Sequence, residues 1–123
     1  MSDASAASAA RIGDCVERMI ESAEQACAYV EGLSKADFVA DKRTQQAVIL
    51  NLILIGEEAT KLLKDHAAFV DQHPGIPWHS LKGMRNRIAH DYHEIKLHTV
   101  WETLQTALPD LVAQLPRVRQ QIR

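Results

Sequence analysis

A chain of 123 residues with 46% apolar and 24% charged residues has the balance of one globular domain, long enough to bury a single core. Only 5% of the residues are aromatic, while Ala, Leu, Ile, Gln and Glu are plentiful, which favours helix over sheet. The formal net charge of −2 excludes a protein that attracts polyanions through its overall field, so any nucleic-acid site has to be local.

The opening MSDASAASAA has neither a basic nor an apolar stretch, so no secretory signal is expected there. It reads as a disordered tail over residues 1–10, ahead of one domain over residues 11–123. From Arg11 to about Glu31, Ile12, Val16, Met19, Ile20, Ala23, Cys27 and Val30 fall on one helical stripe, and Gly32 ends it. Ser34 with Asp37 three residues on predicts a capped short helix around Phe38, acting as a lid on the core. Asp41 caps the next helix, expected over Lys42–Asp65. Its middle, Ala47–Ile55, is apolar on more than one face and so needs more than one neighbour, the core and a second subunit. Gly56 in that helix predicts a close helix approach. Of Glu57 and Glu58, the alternatives are an inward acid that meets Arg85 and two solvated acids.

Residues 67–76 read as a connector turning at His73-Pro74-Gly75. A helix follows from Pro77 to about Asp91, with Trp78, Leu81, Ile88 and Tyr92 at helical spacing, and a break over His93–Lys96. Leu97 opens the last helix, whose stripe is Val100, Trp101, Leu104, Leu108, Leu111 and Leu115, with a kink or restart at Pro109. The fold expected is all-α: an up-and-down bundle of four main helices plus a short extra one. The longest apolar run is interrupted by Asn51, so no membrane span is expected. Cys15 and Cys27, twelve residues apart in one helix, stand about 18 Å apart and cannot bridge within the chain. Reduced thiols suit a cytoplasmic protein.

The stretch Ile76–Val100 holds the unusual chemistry. Between Lys82 and His98 four bases, Lys82, Arg85, Arg87 and Lys96, stand against Asp91 and Glu94, so the local charge is positive although the chain is negative. Arg117, Arg119 and Arg123 add a basic end. Asn86 and His90 lie one turn apart on one helix face and can touch. Arg85 and His90 are about 140° apart around the helix, so they converge on one ligand most easily when two copies face each other across a two-fold axis. Arg-x4-His by itself is a weak signal, and on spacing alone surface ion pairs with Asp91 or Glu94 explain both residues.

The wider pattern says more. Pro77-Trp78, Gly83-Met84-Arg85-Asn86, His90-x-Tyr92 and Val100-Trp101, with Leu54-Ile55-Gly56-Glu57 upstream and Leu108-Pro109-x-Leu111 downstream, stand in the order and spacing of the HepT-like branch of the HEPN superfamily. The chain resembles that family from about Arg11 onward. The resemblance implies a symmetric homodimer and a metal-independent RNA endonuclease, the toxin of a type VII toxin-antitoxin pair. It implies that Arg85 and His90 are catalytic, assisted by Asn86, and that Tyr92 is adenylylated by a small nucleotidyltransferase antitoxin. The residue types suit the chemistry. An imidazole exchanges protons near neutral pH, and a guanidinium offers a permanently charged fork to phosphate oxygens. Lys82 and Arg87 are the expected RNA contacts.

Two other readings stay open. His90, His93 and His98 raise the idea of a metal site, though no His-Glu-x-x-His or cysteine pair supports one and neither metal nor cofactor is expected. HEPN domains also serve as non-catalytic helical partners of nucleotidyltransferases, a role that needs only the apolar faces. No phosphate-binding glycine loop and no nucleophile motif is present.

Overall fold

The computed structural model describes residues 3–122, and the described residues contain helices and turns but no strand. Helix α1 spans Asp3–Tyr29. It takes in residues 3–10, where a tail was expected; residues 1 and 2, like Arg123, lie outside the described residues. The alanine-rich opening explains this, since Ala is the strongest helix former and the apolar stripe needs to begin only where the neighbours begin. The chain reverses at Gly32, whose φ of +78° is open to glycine and costly for a residue with a Cβ.

Helix α2, Lys35–Ala40, is opened by the predicted capping box. The Asp37 N–H donates to Ser34 Oγ at 3.1 Å, and the Ser34 N–H donates back to Asp37 Oδ2 at 3.0 Å. These bonds hold the Asp37 carboxyl below the usual range. The short helix drops Phe38 into the core with no exposure, its ring 5.5 Å from that of Trp101. Helix α3, Lys42–Asp65, starts at the Asp41 cap, which accepts from the Thr44 N–H at 3.2 Å and the Thr44 hydroxyl at 2.6 Å. Its length agrees with the expected range to the residue.

The connector is more ordered than expected, because Ala67–Asp71 forms one further helical segment, α4. Helix α5 spans Trp78–His90, with Pro77 at the cap position just before it. The Trp78 indole N–H donates to the His73 carbonyl at 2.9 Å, which ties the helix start to the turn before it. A 3-10 turn, Tyr92–Glu94, leads to α6, Leu97–Gln105, and α7, Ala107–Gln120. The break between α6 and α7 falls at Thr106, before Pro109. Pro109 has no N–H to offer the carbonyl four residues earlier, so the ladder fails upstream of the ring. A second proline, Pro116, is carried inside α7.

Helix α3 is the centre of the molecule, packed on one side against α1 and on another against α5, while α7 covers α1. Val48, Leu52, Ile55, Ala59 and Leu62 are all at most 1% exposed and form its inward face with Val16, Met19, Leu108, Leu111 and Leu115. On the α1–α3 seam Glu58 is buried, with Oε1 3.3 Å from Lys61 Nζ and 3.8 Å from Arg18 Nη1. Oε2 has no hydrogen-bond partner. Loss of water around the Cys15 thiol, followed by its hydrogen bond and proximity to Glu58, pushes that thiol up to about 11. The alternative of two solvated acids at Glu57 and Glu58 does not hold.

Candidate functional site

Gly56 is what lets α5 lie so close to α3. A Cβ added there would collide with the Cβ of Arg85 and stand 2.8 Å from the Leu81 carbonyl oxygen. The expected close approach is therefore real, and it fixes where Arg85 leaves the seam. From that point the guanidinium reaches back over α3. Nε lies 3.1 Å from Glu57 Oε1, and Nη2 donates to Thr60 Oγ1 at 3.3 Å. Thr60 Oγ1 in turn donates to the Gly56 carbonyl at 2.7 Å. Nε finds no aligned acceptor despite the nearby carboxylate, so charge rather than a directed hydrogen bond holds the Arg85–Glu57 pair. Nε is also buried, so the exposed part of the side chain, 24% overall, lies elsewhere on it.

Asn86 next to it and, about one turn further on, Ala89 and His90 complete a shallow cleft of about 270 Å³ whose other wall is Arg85. The small Ala89 leaves room between the larger side chains. Arg85 and His90 thus share one recess despite their angular separation on the helix. His90 is the last residue of α5 and is exposed. The Asp91 N–H still donates to the Arg87 carbonyl at 3.1 Å, but Asp91 itself leaves helical geometry, with φ −150° and ψ 66°.

That early stop changes the setting of Tyr92. It stands in the 3-10 turn, 42% exposed, with its ring edge-on to His93 at 5.6 Å. It is therefore an accessible turn residue and not a half-buried helix aromatic. Lys82 and Arg87 are both exposed on α5. Arg87 lies about 160° around the helix from Arg85, on the opposite flank, so the two arginines do not address the same recess. Among the described residues no group of three or more His, Cys, Asp and Glu side chains is placed to hold a metal ion. His98 is instead engaged with Lys35 of α2, Nδ1 to Nζ at 2.5 Å.

The sequence reading raised Glu57 as a partner of Arg85 and missed Thr60. A signal for it was present: Thr60 follows Gly56 by one turn and so shares the face that meets α5.

A family model described as HepT-like ribonuclease matches residues 19–118. Similar proteins carry matching names. "Putative RNase TTE0752" of Caldanaerobacter subterraneus is 30% identical over 105 residues, which cover 85% of this chain and 91% of that one. "Probable ribonuclease HepT" of Thermococcus cleftensis is 31% identical, covering 86% and 94%. "Putative RNase MJ0127" of Methanocaldococcus jannaschii is 25% identical, covering 81% and 80%. No solved structure matches. An all-helical chain with a basic, histidine-ended helix is thereby placed in a class of nucleases. The chain belongs to the HepT-like ribonuclease family.

Proposed function

We propose that this protein is a metal-independent RNA endonuclease in which Arg85 and His90, assisted by Asn86, cut the phosphodiester. The observation that carries the reading is the shared recess: Arg85, Asn86 and His90 line one cleft on α5, in a chain of the HepT-like family. His90 takes the proton from a ribose 2′-hydroxyl as its oxygen bonds to the adjacent phosphorus. Arg85 carries the charge that builds on the phosphoryl oxygens. The bond to the 5′-oxygen then breaks, and that oxygen takes a proton from a second imidazolium, leaving a 2′,3′-cyclic phosphate and a 5′-hydroxyl. Lys82 and Arg87 bind the flanking RNA.

The second imidazole comes from a second copy. The working form is a symmetric homodimer of four-helix bundles, α6 and α7 together making the fourth helix. Leu50 and Leu54, one turn apart on α3, are 55% and 43% exposed and lie within about 60° of Glu57 around the helix. They supply an apolar strip beside Arg85, as a dimer face requires. The protein acts as the toxin of a type VII toxin-antitoxin pair, and a small nucleotidyltransferase antitoxin adenylylates Tyr92. The exposed phenol supports this, since AMP there sets a phosphodiester anion two residues from His90, where it repels RNA.

The test is cleavage of total RNA in EDTA by wild type, His90→Ala and Arg85→Ala. Cleavage by wild type alone, with 2′,3′-cyclic phosphate ends, is expected. Persistent cleavage in both variants would remove the assignment of these residues. No cleavage by protein with an unmodified Tyr92 would favour the non-catalytic partner of a nucleotidyltransferase. That reading has its own support in the Arg85–Glu57–Thr60 tie, which gives Arg85 a structural task.

A further inference from the structure

A second and larger cleft, about 470 Å³, opens on the other flank of α5, between its C-terminal half, the 3-10 turn and α6. Its floor is core: Leu52, Ile88 and Val100 are at most 5% exposed, and Met84 and Ile95 form its sides. The rim is polar and of both signs, with Arg87 and Lys96 as donors and Asp91 and Glu94 as acceptors. His90 lines both clefts, so this hollow begins at the residue assigned above as proton carrier.

These features specify a ligand. It has apolar flat faces for a floor of aliphatic side chains, and an edge carrying both donors and acceptors for a rim of mixed charge. Because His90 lines both clefts, such a ligand can also be continuous with a group held at His90. A volume of a few hundred Å³ suits a single nucleotide. A long apolar chain would leave Asp91 and Glu94 facing nothing, and a bare phosphate would leave the floor empty. We propose that this cleft seats the base of the RNA nucleotide next to the scissile phosphate, unstacked from its neighbours. The inference rests on the ribonuclease reading for the placement of that phosphate. It makes single-stranded RNA the substrate, because a base inside a duplex cannot be laid against Leu52 and Val100 without first being turned out.

The floor supplies its own reporters, the methyl groups of Leu52, Met84, Ile88, Ile95 and Val100. Titration of methyl-labelled protein with the four nucleoside 5′-monophosphates should give saturable shifts confined to these methyls for at least one base. Ribose 5-phosphate should give none. Thr99 is exposed at the mouth, so Thr99→Trp should fill the entrance and abolish the shifts, whereas Thr99→Ala leaves them. Shifts of equal size with ribose 5-phosphate, or no saturable shift with any monophosphate, would overturn the proposal whether or not the protein cuts RNA. Where it does, an oligoribonucleotide abasic at one of the two positions flanking the cut should be cleaved at least tenfold more slowly than its parent. Undiminished cleavage with either position abasic counts against the cleft.

Discussion

Arg85 Nε and Glu57 Oε1 stand 3.1 Å apart across the seam of α3 and α5, yet the Nε–H is not aligned for a hydrogen bond. A charge pair of this kind, with Glu57 45% exposed, contributes no more than about 1 kcal/mol to stability. It also holds a carboxylate beside the guanidinium proposed to meet phosphate. Glu57→Gln should therefore leave the melting temperature nearly unchanged and tighten RNA binding, read by anisotropy with a noncleavable oligonucleotide. Arg85→Ala should weaken that binding and abolish cleavage.

The contact at Gly56 makes a sharper statement about packing. Gly56→Ala gains helix propensity of up to about 1 kcal/mol but drives a methyl into Arg85 and toward the Leu81 carbonyl, backbone that cannot swing away. Overpacking of this kind costs about 1–3 kcal/mol, so the variant should melt lower. Gly83→Ala on α5 is the contrast. Its Cβ would meet only the flexible end of Arg87 at 3.4 Å, so the propensity gain should dominate and the variant should melt at or above wild type. Circular dichroism melts of both variants decide the point.

The proposed dimer face is a strip of two exposed leucines. Leu50→Glu with Leu54→Glu places charge on exposed positions and should leave helicity intact. Light scattering should report the 13.7 kDa chain alone for this variant and twice that mass for wild type. RNA cleavage should fall with the dimer. A wild type that scatters as a monomer at micromolar concentration would remove the composite site.

The thiols should react slowly or not at all in the native state. Burial raises both, and Glu58 raises Cys15 further, to about 11. Since the thiolate is the reacting form, iodoacetamide at about pH 8 should leave Cys15 unmodified and label Cys27 slowly. Both should react at once in urea, which mass spectrometry reads directly.

Acid should loosen α2 and the start of α3 first. The Asp37 and Asp41 carboxyls lie below their usual range because each accepts cap hydrogen bonds. A carboxyl lowered in the folded state stabilises it fully above the unfolded value, near pH 4, and loses that contribution as pH falls through the folded value. Asp37→Ala with Asp41→Ala should therefore lower the melting temperature at neutral pH and flatten its decline below about pH 4.

Local chemistry wrote most of this chain's secondary structure into its sequence. The Ser34–Asp37 box, the Asp41 cap and the Gly32 reversal act through bonds between residues at most a few positions apart, so they were legible before any fold was known. Gly56 announced a close approach for the same reason, as a glycine that a free-standing helix would not choose. Where the local signal is weak, the structure departs from the sequence pattern. The alanine-rich start carries no stripe, whereas the restart expected from Pro109 is there, at Thr106 in the turn before it. Arg-x4-His-x-Tyr was visible as a pattern but not as a place. Only the packing of α5 on α3 buried Arg85 Nε against Glu57, and only the unwinding at Asp91 put Tyr92 into solvent. The second cleft needed α6 to fold back beside Leu52, a residue more than thirty positions upstream of α5's last turn. Spacing along one helix fixes angles and rises, but which of those side chains faces a neighbour, a recess or water is decided by long-range burial.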